Sequence, residues 1–154
     1  MSETIEKRLA QIGITLPEAA APAANYVPFM RSGALLFTSG QLPLEAGELV
    51  ARGIVGSDLD VAAAKAAAKQ CAVNVLAQAK AALGDLETIV RLVKITVFVA
   101  SAPGFVEQHL VANGASDLLV TALGDRGRHA RSAVGATSLP LNAPVEVEAI
   151  FEVA

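Results

Sequence analysis

Val145-Glu146-Val147-Glu148-Ala149-Ile150-Phe151-Glu152-Val153 places apolar residues at every odd position and three glutamates and one isoleucine between them. Successive side chains of an extended strand point to opposite faces. This period of two therefore describes a strand with one face in an apolar layer and the other against something polar. Upstream, residues 129–136 (HARSAVGA) read as a second strand, with Arg131 and Ala133 on the face opposite Ser132 and Val134. Residues 90–100 (VRLVKITVFVA) are rich in β-branched side chains and bounded by polar or Pro/Gly segments, the pattern of a buried strand.

Between these strands the period changes to that of a helix. Residues 105–123 carry apolar positions at helical spacing, although Asn113-Gly114 in the middle is expected to break or kink the helix. Residues 124–128 read as a loop. Residues 57–83 put Ala68, Ala72, Val75, Leu76, Ala79 and Leu83 on one stripe and leave Lys65, Lys69 and Lys80 for solvent. Ser57 with Asp60 three residues on suggests a capping box, and Gly84 a left-handed stop. At the start of the chain, Ile5, Leu9 and Ile12 space a short amphipathic helix over 3–12, stopped at Gly13. Residues 14–25, with Pro17 and Pro22, suit an extended arm. Residues 26–30 and 34–39 read as a hairpin turning at 31–33, with Leu35, Phe37 and Ser39 on one face. A third strand is expected over 48–54. The order β-β-β-α-β-α-β-β, preceded by a short helix, gives an α+β fold with two main helices on one face of a sheet. One domain spans 1–154, with 1–13 its N-terminal helix and 14–25 its arm.

Composition bounds the function. The chain has 154 residues, 53% hydrophobic and 18% charged, a balance that excludes disorder. At this length about 70% of the unfolded surface can be buried, so folding needs neither disulfide nor metal. Aromatics are only 4% and tryptophan is absent, so the core is built from small side chains, and the lean charge points to buried subunit contacts. A net charge of −3 supplies no positive field for a phosphate backbone, which argues against nucleic acid as a partner. Cys71 is the single cysteine, and with two histidines it makes no zinc spacing; neither a metal nor a cofactor is expected. Cys71 lies on the helix stripe and reads as a packed small hydrophobe. The N-terminus lacks the apolar stretch of about 7–15 residues of a signal peptide. Lysines interrupt the alanine-rich region before it reaches the roughly 20 residues of a membrane span. A cytoplasmic protein with no membrane partner is expected.

Phosphate-loop, dinucleotide, zinc-protease and nucleophile-elbow motifs are all absent. What stands out is charge inside strands: Arg131 among small residues, and Glu146 and Glu148 among the Val and Ala residues of the terminal strand. Such charges are costly unless solvated or paired, so this face is wet, or Arg131 pairs with a glutamate across strands, or the face lines a site.

Five segments, in order and spacing, carry a likeness. They are Ala21-Pro22-Ala23-Ala24-Asn25-Tyr26, Leu36-Phe37-Thr38-Ser39-Gly40-Gln41-Leu42-Pro43, Val93-Lys94-Ile95-Thr96-Val97-Phe98-Val99, Ala130-Arg131-Ser132-Ala133-Val134-Gly135 and Val145-Glu146-Val147-Glu148-Ala149-Ile150. Together they resemble the Rid (YjgF) family of enamine/imine deaminases, from about Ala21 to the C-terminus, and a longer subgroup of it. The resemblance implies a chorismate-mutase-like fold and a homotrimer with clefts between neighbouring subunits, where the charged strand face would line a cleft. It implies that Arg131 grips a substrate carboxylate, a task suited to a fork of parallel donors. Glu146 would position and polarise the attacking water. Tyr26 and Ser39 would line the same cleft, and Gly40 would let backbone approach the ligand.

The likeness departs at two positions. Ala133 stands where many members have a cysteine, which removes one contact to the substrate. Counting along the second helix puts His109 where an asparagine is common, and His109 could donate to a ligand. His129 shares a strand face with Arg131 and is a further, weaker cleft candidate. The implied reaction is cofactor-free hydrolysis of a 2-imino or 2-enamino acid to a 2-oxo acid and ammonia. The alternative is a non-catalytic trimer binding a small carboxylate or serving a regulatory partner. RNA cleavage or translation inhibition, a label some relatives carry, is disfavoured by the negative charge, few aromatics and lack of a histidine pair.

Overall fold

The computed structural model describes residues 3–154. Its centre is the alternating stretch, strand β7 (Val145–Val153), in which Val145, Val147, Ala149, Phe151 and Val153 are buried and the residues between them half-buried. Five strands form one sheet in the order β1-β2-β7-β5-β6, where β1 is Phe29–Ser32, β2 Leu35–Thr38, β5 Ile89–Ala100 and β6 Ala130–Ala136. β5 runs parallel to β6, and the other neighbours are antiparallel. Helices α2 (Val61–Leu83) and α3 (Gln108–Leu123) cover one face. The short helix α1 (Ile5–Gln11), capped by the Thr4 hydroxyl accepting from Lys7 N at 3.2 Å, docks Ile5 and Leu9 into the same core. Ile12, expected on that face, is instead the half-exposed residue that ends the helix. Residues 14–25 form no regular element, as the prolines require.

Three local expectations give way to tertiary structure. The third strand over 48–54 does not form. Ala46 and Gly47, both at positive φ, fold the chain into a separate two-stranded hairpin of β3 (Leu44–Glu45) and β4 (Glu48–Leu49). The place beside β7 is taken by Gln41, which bridges Val147. Helix α2 starts at Val61 rather than 57. Residues 57–59 all turn their N–H groups back onto Ile54 O, and Asp60 itself is the cap, accepting from Ala63 N at 2.8 Å. Helix α3 runs unbroken through Asn113-Gly114. A Cβ on Gly114 would collide with the carbonyl of Lys65, so the glycine is there to let α3 cross α2 closely.

Smaller shifts follow the same logic. The hairpin turns at Gly33-Ala34, because Val27 O and Pro28 O are held by Ser39 and β1 begins only at Phe29. Residues 124–127 make a single 3-10 turn instead of a loop. Gly84 ends α2 at a φ of 77° as expected.

Cys71 is fully buried and its thiol reaches Val145 O at 3.6 Å. Burial, with Glu146 adding to it, pushes the thiol well above its ordinary pKa, so it stays protonated and inert. The stripe read along α2 understates its burial, since every residue from 71 to 79 is covered by sheet, α3 or arm. Among the described residues no helix is long and apolar enough to cross a membrane, and no cluster of three or more His, Cys, Asp or Glu is placed to hold a metal ion.

Candidate functional site

Arg131 sits on the edge strand β6 and pairs in register with Ile95, whose side chain lies wholly in the core beneath the helices. Paired residues share a face, so Arg131 leaves the sheet on the helix-covered side and meets α3. Its Nη1 donates to Asn113 Oδ1 at 2.9 Å and to Ser116 Oγ at 3.2 Å, and its Nη2 donates to His109 O at 3.1 Å. A guanidinium carries five N–H groups. Its Nε–H and one Nη2–H have no partner among the described residues. Two free donors on neighbouring nitrogens are what a carboxylate needs for two parallel bonds.

A chain of hydrogen bonds fixes that geometry. His129 Nδ1 lies 2.6 Å from Gly127 O, which can only accept, so in the neutral ring Nδ1 holds the proton. Nε2 then accepts from the Ser116 hydroxyl at 2.9 Å, and the same oxygen accepts from Arg131. His129 thus acts as a support behind Ser116, half-buried just before β6 begins.

Glu146 lies elsewhere. It pairs in register with Phe98, three residues beyond Ile95, and so projects from the uncovered face of the sheet. Its carboxylate rests on the backbone of Gly40, where a Cβ would overlap Oε1. The missing side chain of Gly40 is therefore used first by Glu146. Partial burial, then the neighbouring Glu148 charge, raises the Glu146 pKa above its ordinary 4.5. A carboxyl raised in this way holds and releases a proton nearer neutrality.

The remaining predicted residues divide between these two centres. Ser39, beside Gly40, donates its hydroxyl to Val27 O at 2.7 Å and its N–H to Pro28 O at 2.9 Å, which ties the end of the arm to the turn. Tyr26 stands on that arm with 48% of its surface exposed. Ala133 packs against the core beside Val97 and offers no polar group. His109 keeps its imidazole exposed, and its carbonyl is what touches Arg131. Asn113, one turn along α3 and treated in the sequence only as a helix breaker, supplies the side-chain amide. Its spacing of four from His109 puts both on one helix face, and that spacing was the available signal. Within one chain the Arg131 cluster and the Glu146–Gly40 contact are thus on opposite faces of the sheet. Five surface hollows of the single chain are each lined by other residues than Arg131 and Glu146.

Comparison with known proteins places the chain among relatives along nearly its whole length. Residues 6–153 match the family described as "YjgF/chorismate_mutase-like, putative endoribonuclease". Protein TCP17 of Trypanosoma cruzi is 49% identical over 152 residues, covering 98% of this chain and 95% of that protein. The crystal structure of Atu1372, of unknown function, from Agrobacterium tumefaciens is 60% identical, with a TM-score of 0.92 over 97% of this chain and 92% of that one. The structure of TdcF from E. coli with bound serine is 25% identical, with a TM-score of 0.65 over 89% of this chain and 94% of that one.

Proposed function

The chain belongs to the YjgF/chorismate-mutase-like family, and from that premise we propose that it hydrolyses reactive 2-imino and 2-enamino acids to 2-oxo acids and ammonia in clefts between the subunits of a homotrimer. The observation that carries this reading is the Arg131 guanidinium, held by three bonds to α3 with two adjacent donors unspent. A residue locked merely for structure has no need to keep a bidentate fork open. The opposite facing of Arg131 and Glu146 supports the intersubunit arrangement, because a site that uses both must draw them from different copies. TdcF, a structural neighbour, holds serine, a small amino acid with the same carboxylate handle.

In the proposed reaction the enamine tautomerises to the imine, and Arg131 fixes its carboxylate through Nε–H and Nη2–H. Water attacks C2 while Glu146 takes a proton from it, giving a carbinolamine. Glu146 returns that proton to nitrogen, the C2 hydroxyl then passes its own proton through Glu146 to the same nitrogen as the C–N bond breaks, and ammonia leaves with the 2-oxo acid behind. Such imines hydrolyse unaided, so orientation and modest charge stabilisation are enough. No cofactor enters the scheme. Tyr26, Ser39 and Gly40 would line the cleft beside Glu146, and His109 beside Arg131. Ala133 would contribute shape alone, narrowing the substrate range.

The test is 2-oxo acid formation from an imine generated in situ by a dehydratase or an amino-acid oxidase, with Arg131→Ala as control. Faster hydrolysis by wild type than by the variant is the expected result. Equal rates would remove the catalytic claim. If 2-oxo acids also stabilise the wild type against heat but not Arg131→Ala, the protein is a carboxylate binder without turnover.

A further inference from the structure

Two side-chain amides tie the arm to the turn that carries Ser39 and Gly40. Gln78, 1% exposed in the buried run of α2, donates through Nε2 to Ala20 O at 2.8 Å and to Gln41 Oε1 at 3.3 Å. Gln41, 7% exposed, donates through its own Nε2 to Ser39 O at 3.0 Å and to Gly40 O at 3.4 Å. Backbone carbonyls stand at both ends of this chain and can only accept, so neither amide can be turned over without facing oxygen to oxygen. All four amide N–H groups are then used. One acceptor is left: Gln78 Oε1 is buried without a partner among the described residues. Leaving a buried carbonyl unpaired costs free energy comparable to a lost hydrogen bond, so Gln78 is held here at the expense of stability. The arm and the turn that this chain joins, with Ala20, Ala21, Tyr26, Gly40, Gln41 and Gln78, wall a hollow of about 50 Å³.

We infer that Gln78 is a positioning residue: it locks the arm bearing Tyr26 against the Ser39–Gly40 turn. This rests on the deaminase reading only in taking Tyr26 and Gly40 to face the substrate. Gln78 touches no reacting atom and acts through the arm and Gln41. The sequence gives it away only as a polar residue in the middle of an apolar helix run.

Tyr26 is the sole tyrosine and there is no tryptophan, so intrinsic fluorescence reports the arm directly. In Gln78→Leu the acrylamide quenching constant of Tyr26 is expected to rise about twofold as the arm opens. KM for the imine should rise about tenfold with kcat held within about twofold, since the loss is of binding geometry. In the wild type the side-chain amide protons of Gln78, buried and bonded to Ala20 O and Gln41 Oε1, should exchange slowly with solvent by NMR. That measurement stands even if the variant folds poorly, and Gln78 side-chain amide protons exchanging as fast as those of a free amide would overturn the proposal. So would wild-type quenching and KM in Gln78→Leu while the wild type turns over imine, which leaves the deaminase reading intact. Quenching that responds in a protein that hydrolyses no imine would overturn the deaminase reading and keep the lock.

Discussion

On the face of the sheet beneath α2 and α3, Ile95, Val97, Val147, Ala149 and Phe151 are each exposed by 2% or less. On the other face Phe37 and Val134 keep 39% and 43% of their surface, and Glu146 and Glu148 stand half-buried among them. The first face is finished by the chain's own residues, down to a glycine that lets two helix backbones touch. The second mixes large apolar groups with desolvated acids, a combination that neither water nor this chain satisfies alone. Covered burial supplies stability, and the uncovered face supplies Glu146, a carboxyl whose protonation is displaced. Arg131 reaches from the covered face to its rim, where two of its donors wait.

The contrast can be broken most severely at Gly114. Gly114→Val drives a side chain into the Lys65 carbonyl and should cost about 3–5 kcal/mol, lowering Tm by roughly 10 °C in thermal unfolding. A loss below about 1 kcal/mol would mean that the helices do not cross where described. Arg131→Ala should lower kcat/KM by a factor of about 10²–10³, or ~3–4 kcal/mol of transition-state stabilisation, in the coupled imine assay. Its Tm should change little, since the partners it leaves on α3 reach water.

Glu146→Gln separates the two faces by pH. The Glu146 carboxyl titrates above its ordinary 4.5 in the folded chain. Its contribution to stability is therefore complete below the unfolded value and is lost as pH rises through the folded one. Relative to the variant, the wild type should lose about 1–3 °C of Tm between roughly pH 4 and pH 7. A difference that does not change with pH would place Glu146 in open solvent. The smallest effect is at the far end of the covered side: Thr4→Ala removes the exposed cap of α1 and should cost about 0.5 kcal/mol by denaturant unfolding.

Much of this was readable in the chain. Strict alternation in 145–153 gave the central strand, β-branched density gave β5, and alanine spacing gave α2. The in-strand charges marked Arg131 and Glu146 as unusual. What local patterns could not carry was contact made across the fold. Asn113-Gly114 reads as a helix breaker because propensity does not know that Lys65 lies against it. Residues 48–54 read as a strand because nothing nearby reveals that Gln41 already holds the edge beside Val147. The parity that sends Arg131 and Glu146 to opposite faces depends on the registers of two different strand pairs, one parallel and one antiparallel. Asn113 as the partner of Arg131, and Gln78 as the anchor of the arm, are invisible for the same reason.

Mixing the Arg131→Ala and Glu146→Gln proteins, after dissociation and reassembly, tests most directly whether one site takes its arginine and its carboxylate from different copies. Each parent alone should be inactive toward imine, and the mixture should recover roughly a quarter of wild-type activity, from sites that pair an intact Arg131 with an intact Glu146. A mixture no more active than its parents would contradict a site completed by a second copy.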